Sequence, residues 1–258
     1  MNTALITGAS SGIGRELALV HAARGGHLVL VARRESELMA LTSEIEKAHN
    51  VRVTVIVKDL AQASAPREIY EELRAKGIQV DILMNNAGFG VLGDFAKADE
   101  AKTLDMIHVN IAALVALTRL FLPDMIARNS GRILNVASTA AFQPGPLMAV
   151  YYATKAFVVS FSEAVRYELR GTKITVTTLC PGPTKSEFQQ AAGMTNIRMM
   201  AMPGIPTSRT VADYGYDAMM RGKGVAIQGA MNRISAFSTR FAPRNLVMRF
   251  VHDLQSGR

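Results

Sequence analysis

Thr7-Gly8-Ala9-Ser10-Ser11-Gly12-Ile13-Gly14 follows an apolar run at residues 3–7 and opens a stretch of helical spacing at 15–24. A glycine loop between a strand and a helix has a physical use. Glycine permits a tight turn and lets the backbone approach a pyrophosphate, which then rests on the helix N-terminus. The spacing is Gly-x3-Gly-x-Gly, and it lacks the Gly-Lys-Ser/Thr of a nucleoside triphosphatase. Gly8, Gly12, Ile13 and Gly14 are therefore candidate contacts to a dinucleotide. The plain alternative is a glycine-rich turn that holds nothing.

Outward from this loop, short β-branched runs at 27–32, 52–57, 81–85, 132–137 and 174–179 alternate with longer helical segments such as 36–48, and a last short run lies at 224–227. Strand and helix in alternation imply right-handed crossovers and a parallel sheet covered on both faces. The expectation is an α/β, doubly wound sheet of about seven strands, with ligands at the carboxyl ends of the strands. No linker or repeat divides residues 1–258, so a single domain is expected. Two segments break the rhythm. Residues 140–150 are rich in proline and small side chains, and residues 186–206 carry four Met and two Pro; the second reads as a lid over a site. Residues 230–258 read as a tail of two amphipathic helices separated at Pro243.

Nearly half the residues are apolar (49%) and 19% are charged, which supports a large core. One cysteine, Cys180, excludes an internal disulfide framework, and the five histidines show no metal-ligand spacing. The net charge is +8, with Arg233, Arg240, Arg244, Arg249 and Arg258 late in the chain. Without tryptophan or aromatic-basic interleaving, nucleic acid is not the expected partner. A phosphate-bearing ligand, or peripheral contact of the basic tail with an anionic membrane, explains the surplus. The longest apolar stretch, residues 111–122 with Arg119 inside it, is too short for a membrane span. No leader pattern precedes the first strand, so a cytoplasmic protein is expected.

Two further positions carry chemistry. The second strand run ends in Arg33 and Arg34 where NAD-binding folds place an acidic residue on the ribose; an arginine there accommodates a 2′-phosphate. Ser10 and Ser11 add hydroxyl donors, so NADP(H) is the expected cofactor. Tyr151 and Lys155, at i and i+4, share one face of a helix. An ammonium beside a phenol favours the phenolate and is expected to lower its pKa, fitting the tyrosine for proton transfer. The ordinary alternative is a solvated helix face.

Taken together these motifs resemble the short-chain dehydrogenase/reductase family in its single-domain Rossmann branch. The likeness covers nearly the whole chain: the loop from Thr7 to Gly14, Asp59-Leu60, Asn85-Asn86-Ala87-Gly88, Asn110, Ser138, Tyr151 with Lys155, and Pro181-Gly182. The tail resembles that of the DltE-like general reductases. The resemblance implies that Tyr151 is the general acid or base, that Lys155 lowers its pKa and bonds the nicotinamide ribose, and that Ser138 donates to the substrate oxygen. It implies that Asn110 holds a water leading from Lys155 to solvent. Asp59 and Leu60 would flank the adenine, Asn86, Ala87 and Gly88 the adenosine ribose, and Pro181, Gly182 and Thr184 the nicotinamide. Tyr152 has no lysine four positions on and is expected to pack. The implied activity is NADPH-dependent interconversion of a carbonyl and an alcohol by a homodimer or homotetramer. Met194, Met199, Met200 and Met202, opposite Phe142, Leu147 and Met148, suggest an apolar substrate wall. A catalytically silent NADP-binding regulator is the alternative; it would need only the cradle.

Overall fold

The computed structural model describes residues 2–194, 198 and 204–256. The β-branched and apolar runs become seven strands: β1 (Thr3–Thr7), β2 (His27–Ala32), β3 (Val53–Val57), β4 (Ile82–Asn85), β5 (Gly131–Val136), β6 (Ile174–Cys180) and β7 (Val225–Ile227). All pair in parallel, in the order β3-β2-β1-β4-β5-β6-β7. This is the doubly wound Rossmann sheet. Strand order reverses between β1 and β4, so the chain leaves those two strands in opposite directions and opens a crevice at their carboxyl ends.

Side chains alternate between the two faces. Ala4, Ile6, Leu28, Leu30, Met84 and Leu134 pack under α1 (Gly12–Ala22), α2 (Glu35–Ala48) and α8 (Ser208–Met220). Leu5, Val29, Val31, Leu83 and Ile133 face the other way, under α3 (Ala65–Ala75) and α5 (Leu114–Arg128). Each large apolar side chain buried this way contributes about 1.5–3 kcal/mol. The stretch Glu100–Arg128 joins α4 (Glu100–Ile107) to α5 through a π-helical turn at His108–Ala113. By length and composition it is apolar enough to cross a membrane, but Leu117, Phe121 and Met125 are buried on the sheet, which makes it a core helix.

A buried polar chain fixes α6 (Ala149–Glu168) to the sheet. Asn85 Nδ2 donates to Thr118 Oγ1 (3.1 Å) and Asn135 Oδ1 (2.9 Å), and Asn135 Nδ2 donates to Ser162 Oγ (2.9 Å) on α6. A buried amide gains by being paired, because a polar group left unpaired costs about 1–3 kcal/mol, so the network anchors α6 to the sheet at Ser162. The remaining α-helices among the described residues are α7 (Phe188–Ala191), α9 (Ala230–Ser238) and α10 (Arg244–Gln255).

Candidate active site

The loops after β1 and β4 are stitched together at the crevice. Thr7 Oγ1 accepts from the N–H groups of Asn86 and Ala87 at 3.0 Å each, and Asn86 Nδ2 donates to Thr7 O (2.9 Å) and Gly8 O (3.3 Å). Gly8 and Gly12 have φ of 65° and 55°, the left-handed region glycine adopts without strain. Gly14 serves differently and stands behind the cleft wall. A Cβ there would lie 2.3 Å from Gly8 O and 2.4 Å from Asn86 Nδ2. Overpacking of this kind costs about 1–3 kcal/mol. Gly14→Ala is therefore expected to lower the midpoint of urea unfolding; an unchanged midpoint would show that the loop gives way freely.

A dinucleotide fits this cradle. Ser11 precedes α1 in extended backbone with φ −162° and its hydroxyl makes no capping bond. The first-turn N–H groups at Gly12 and Ile13 therefore face the cleft without a side-chain cap. The cleft, of about 540 Å³, runs from Arg33, Arg34, Asp59 and Leu60 past Gly88 to Ser138, Tyr151, Lys155, Pro181, Gly182 and Thr184. At its β2 end, Arg33 lies 3.7 Å from Asp59 and is mostly exposed. Arg34 bonds Ser10 Oγ (3.3 Å) and reaches across the cleft to Glu187 (3.0 Å). Exposed pairs of this kind contribute at most about 1 kcal/mol, so a phosphate dianion could displace either carboxylate.

At the other end, Tyr151 and Lys155 point into the cleft from α6, and Ser138 meets them from the end of β5. Ser138 Oγ accepts from Ala140 N–H (3.1 Å) and lines the cleft with Tyr151. Lys155 is buried; its Nζ donates to Val136 O (2.9 Å) and sits 5.9 Å from the Tyr151 ring centroid. Burial pushes the phenol up to about 12, only partly offset by the neighbouring Ser138 hydroxyl, and pushes the ammonium down to about 8. The i,i+4 spacing leads to the opposite expectation for Tyr151. Desolvation wins because the ammonium is directed at the Val136 carbonyl. Part of the Tyr151 surface still faces the cleft, where a substrate oxygen could reach it.

The lowered lysine has a consequence for stability. Between about 8 and its ordinary 10.5, the unfolded chain holds the Lys155 proton and the folded chain does not, so stability rises with pH there. The parent should gain melting temperature relative to Lys155→Met across this window. A constant difference would show that the ammonium is not depressed.

Comparison with known proteins bears on this geometry. The family model for short chain dehydrogenase matches residues 2–196. The chain belongs to the short-chain dehydrogenase/reductase family. It is 38% identical over 190 residues to a short chain dehydrogenase of Pseudocercospora fijiensis, covering 72% of this chain and 60% of that protein. It is 34% identical over 214 residues to the ketoacyl reductase HetN of Nostoc sp., covering 82% of this chain and 72% of that one. A short-chain dehydrogenase from Sphingobium yanoikuyae, solved in complex with NADPH, superposes with a TM-score of 0.82 at 30% identity, covering 96% and 95% of the two chains. The present chain thus spans less than two thirds of its fungal relative.

In this short-chain dehydrogenase/reductase, several residues without an obvious motif hold the motif residues in place. Asn110 is buried in the π-helical turn, away from the cleft lining. Its Oδ1 accepts from Phe89 N–H (3.1 Å), and its Nδ2 donates to Phe89 O and Thr154 Oγ1 (3.0 Å each). Thr154 Oγ1 in turn donates to Tyr151 O (2.7 Å). A Cβ at Gly88 would stand 3.0 Å from Asn110 Oδ1 and 3.1 Å from Lys155 Nζ, so the absence of a side chain lets both approach the loop. Thr154 lies between the two family residues in sequence, and its i+3 relation to Tyr151 was the available signal.

The apolar wall differs in part from expectation. Met148 and Met194 line the cleft, and Phe188 on α7 places its ring 5.4 Å from that of Tyr151. Phe142 packs instead with Val158 and Val159, and Leu147, with φ 65°, stays off the cleft lining. Met199, Met200 and Met202 fall outside the described residues. Tyr152 packs, as expected: it lies against Gly145, and its hydroxyl accepts from Gln255 on α10. Cys180 is buried, and burial raises its thiol to about 12. His21 is buried between Tyr216 and Asn2 O, and burial lowers its pKa. Among the described residues, no three His, Cys, Asp or Glu side chains stand together to hold a metal.

Proposed function

We propose that this short-chain dehydrogenase/reductase is an NADPH-dependent carbonyl reductase, reversible as an alcohol dehydrogenase, acting on a lipophilic ketone or aldehyde. One observation carries the reading: a single cleft joins two arginines at one end to Ser138, Tyr151 and Lys155 at the other. Gly8, Ser10, Ser11, Gly12 and Ile13 would hold the diphosphate, with Arg33 and Arg34 at a 2′-phosphate. Asp59, Leu60, Ala87 and Gly88 would line the adenosine, and Pro181, Gly182 and Thr184 the nicotinamide. Bound there, NADPH supplies the hydride.

The remaining steps belong to side chains. Ser138 Oγ holds the substrate oxygen. Tyr151, with its pKa raised to about 12, keeps its proton at neutral pH and passes it to that oxygen as negative charge develops. Lys155 lies beside the phenol to offset the phenolate left behind. Because the Asn110 side chain is already bonded to Phe89 and Thr154, we assign it to positioning α6 and the β4 loop in place of holding a water. The likeness to a ketoacyl reductase and the Met148–Met194–Phe188 wall both support an apolar substrate. One domain over 1–258, with a lid at 186–206 and a tail at 230–258, belongs to the same reading. So do the DltE-like subgroup and a cytoplasmic homodimer or homotetramer.

The test is a panel of carbonyl compounds followed by loss of NADPH absorbance. Oxidation with medium- and long-chain ketones or aldehydes is the expected result. Reaction with small hydrophilic sugars alone would end the lipophilic reading. NADPH binding without any turnover would leave the silent regulator.

A further inference from the structure

We propose that α9 and α10 form a docking surface for an anionic phospholipid membrane, placed beside the mouth of the substrate cleft. The placement beside a lipophilic-substrate site rests on the reading above; the docking itself does not.

The two helices have sharply different faces. Inward, Ala236 is buried on α9, and Asn232 lies against Gly182, where a Cβ would stand 2.5 Å from its Nδ2. On α10, Val247, Val251 and Gln255 follow one another at i+4. The two valines pack into the cluster holding Met148, Tyr152 and Met194, and Gln255 Nε2 bonds Tyr152 Oη at 2.5 Å. The inner faces therefore reach the walls of the candidate site.

Outward, the same helices are apolar. Met231, Ile234 and Phe237 recur every three residues on α9 and are 74%, 62% and 59% exposed. Phe241 continues the stripe at 75%, its ring edge-on to Phe237. Leu246 and Phe250, at i and i+4 on α10, are 58% and 64% exposed. Folded proteins scatter single exposed apolar residues, but six of them on two successive helices and their junction mark a contact.

Charge selects the contact. No carboxylate occurs between Asp217 and Asp253, whereas Arg233, Arg240, Arg244 and Arg249 lie in α9, α10 and their junction, all exposed. Apolar residues flanked by arginine are the pattern of a helix lying in a lipid interface, its apolar face inserted and its cations against phosphate headgroups. A second copy of the chain would instead bring arginine-rich faces together in a protein already at +8. An anionic bilayer neutralises that charge and accepts the apolar side chains.

The test uses the full chain with sedimented vesicles of phosphatidylcholine alone or mixed with phosphatidylglycerol. The expected result is binding to the mixed vesicles, weaker by at least about tenfold for phosphatidylcholine alone and falling with salt. Phe237→Ser, Phe241→Ser and Phe250→Ser combined should reduce vesicle binding by a similar factor. Turnover of a water-soluble aldehyde by that variant should stay at the parent level, because none of the three lines the cleft. No sedimentation with either vesicle, or equal sedimentation with both, would overturn the proposal. So would sedimentation velocity showing an oligomer that the triple substitution turns into monomers, which would give the face to a second copy. Vesicle binding without NADPH oxidation would end the reductase reading and leave docking standing; an active enzyme that ignores vesicles would do the reverse.

Discussion

Tyr151→Phe is expected to lower turnover by about 10²–10⁴-fold, the usual contribution of a positioned general acid, while NADPH affinity stays at the parent level. The substitution removes one hydroxyl and keeps the ring against Phe188 and Tyr152, so the fold has no cavity to absorb. Burial raises the phenol to about 12, and a group so placed remains protonated throughout the neutral range. That favours donation to a developing alkoxide, the reductive direction. Abstraction from an alcohol would need the phenolate, and reaction in that direction should therefore rise with pH well above neutrality. Turnover from carbonyl reduction and affinity from NADPH fluorescence titration check both halves. A fully active phenylalanine variant would remove Tyr151 from the chemistry.

The second large effect is expected at the β2 end. Arg33→Ala combined with Arg34→Ala should weaken NADPH binding by about 10–100-fold for each charged hydrogen bond lost, at roughly 1.5–3 kcal/mol apiece, and leave NADH nearly unchanged. The two arginines are not equivalent. Arg33 faces Asp59 at 3.7 Å, whereas Arg34 bonds Ser10 and pairs with Glu187 at 3.0 Å. A 2′-phosphate must compete with Glu187 for Arg34, so Glu187→Gln should tighten NADPH binding. Parallel titrations with NADPH and NADH give the answer. Equal weakening for both cofactors would mean that the arginines serve the fold and not a phosphate.

Much of the frame could be read from local pattern. Short β-branched apolar runs and a glycine loop are properties of a few adjacent residues, and the seven strands follow from them to within a residue or two. Tyr151 and Lys155 share a helix face through one turn of spacing, whereas Ser138 was marked only by the family resemblance. Phe142 and Leu147 were misread for the converse reason. They adjoin Met148 in sequence, but the turn at Leu147, with φ 65°, directs Met148 alone to the cleft.

The chain's own sequence therefore determined the sheet and marked the candidate cofactor cradle and the Tyr151–Lys155 pair, because each is written in short-range spacing. Only the tertiary structure decided how those residues behave. The bond from Gln255 to Tyr152 spans 103 residues, and that from Asn110 to Thr154 spans 44. The ion pair between Arg34 and Glu187 likewise closes across the cleft. No periodicity encodes such partners. The direction of the Tyr151 shift is of the same kind: the spacing to Lys155 sets how near a charge can come, but the protein packed around both groups sets what that charge costs, and burial outweighs proximity.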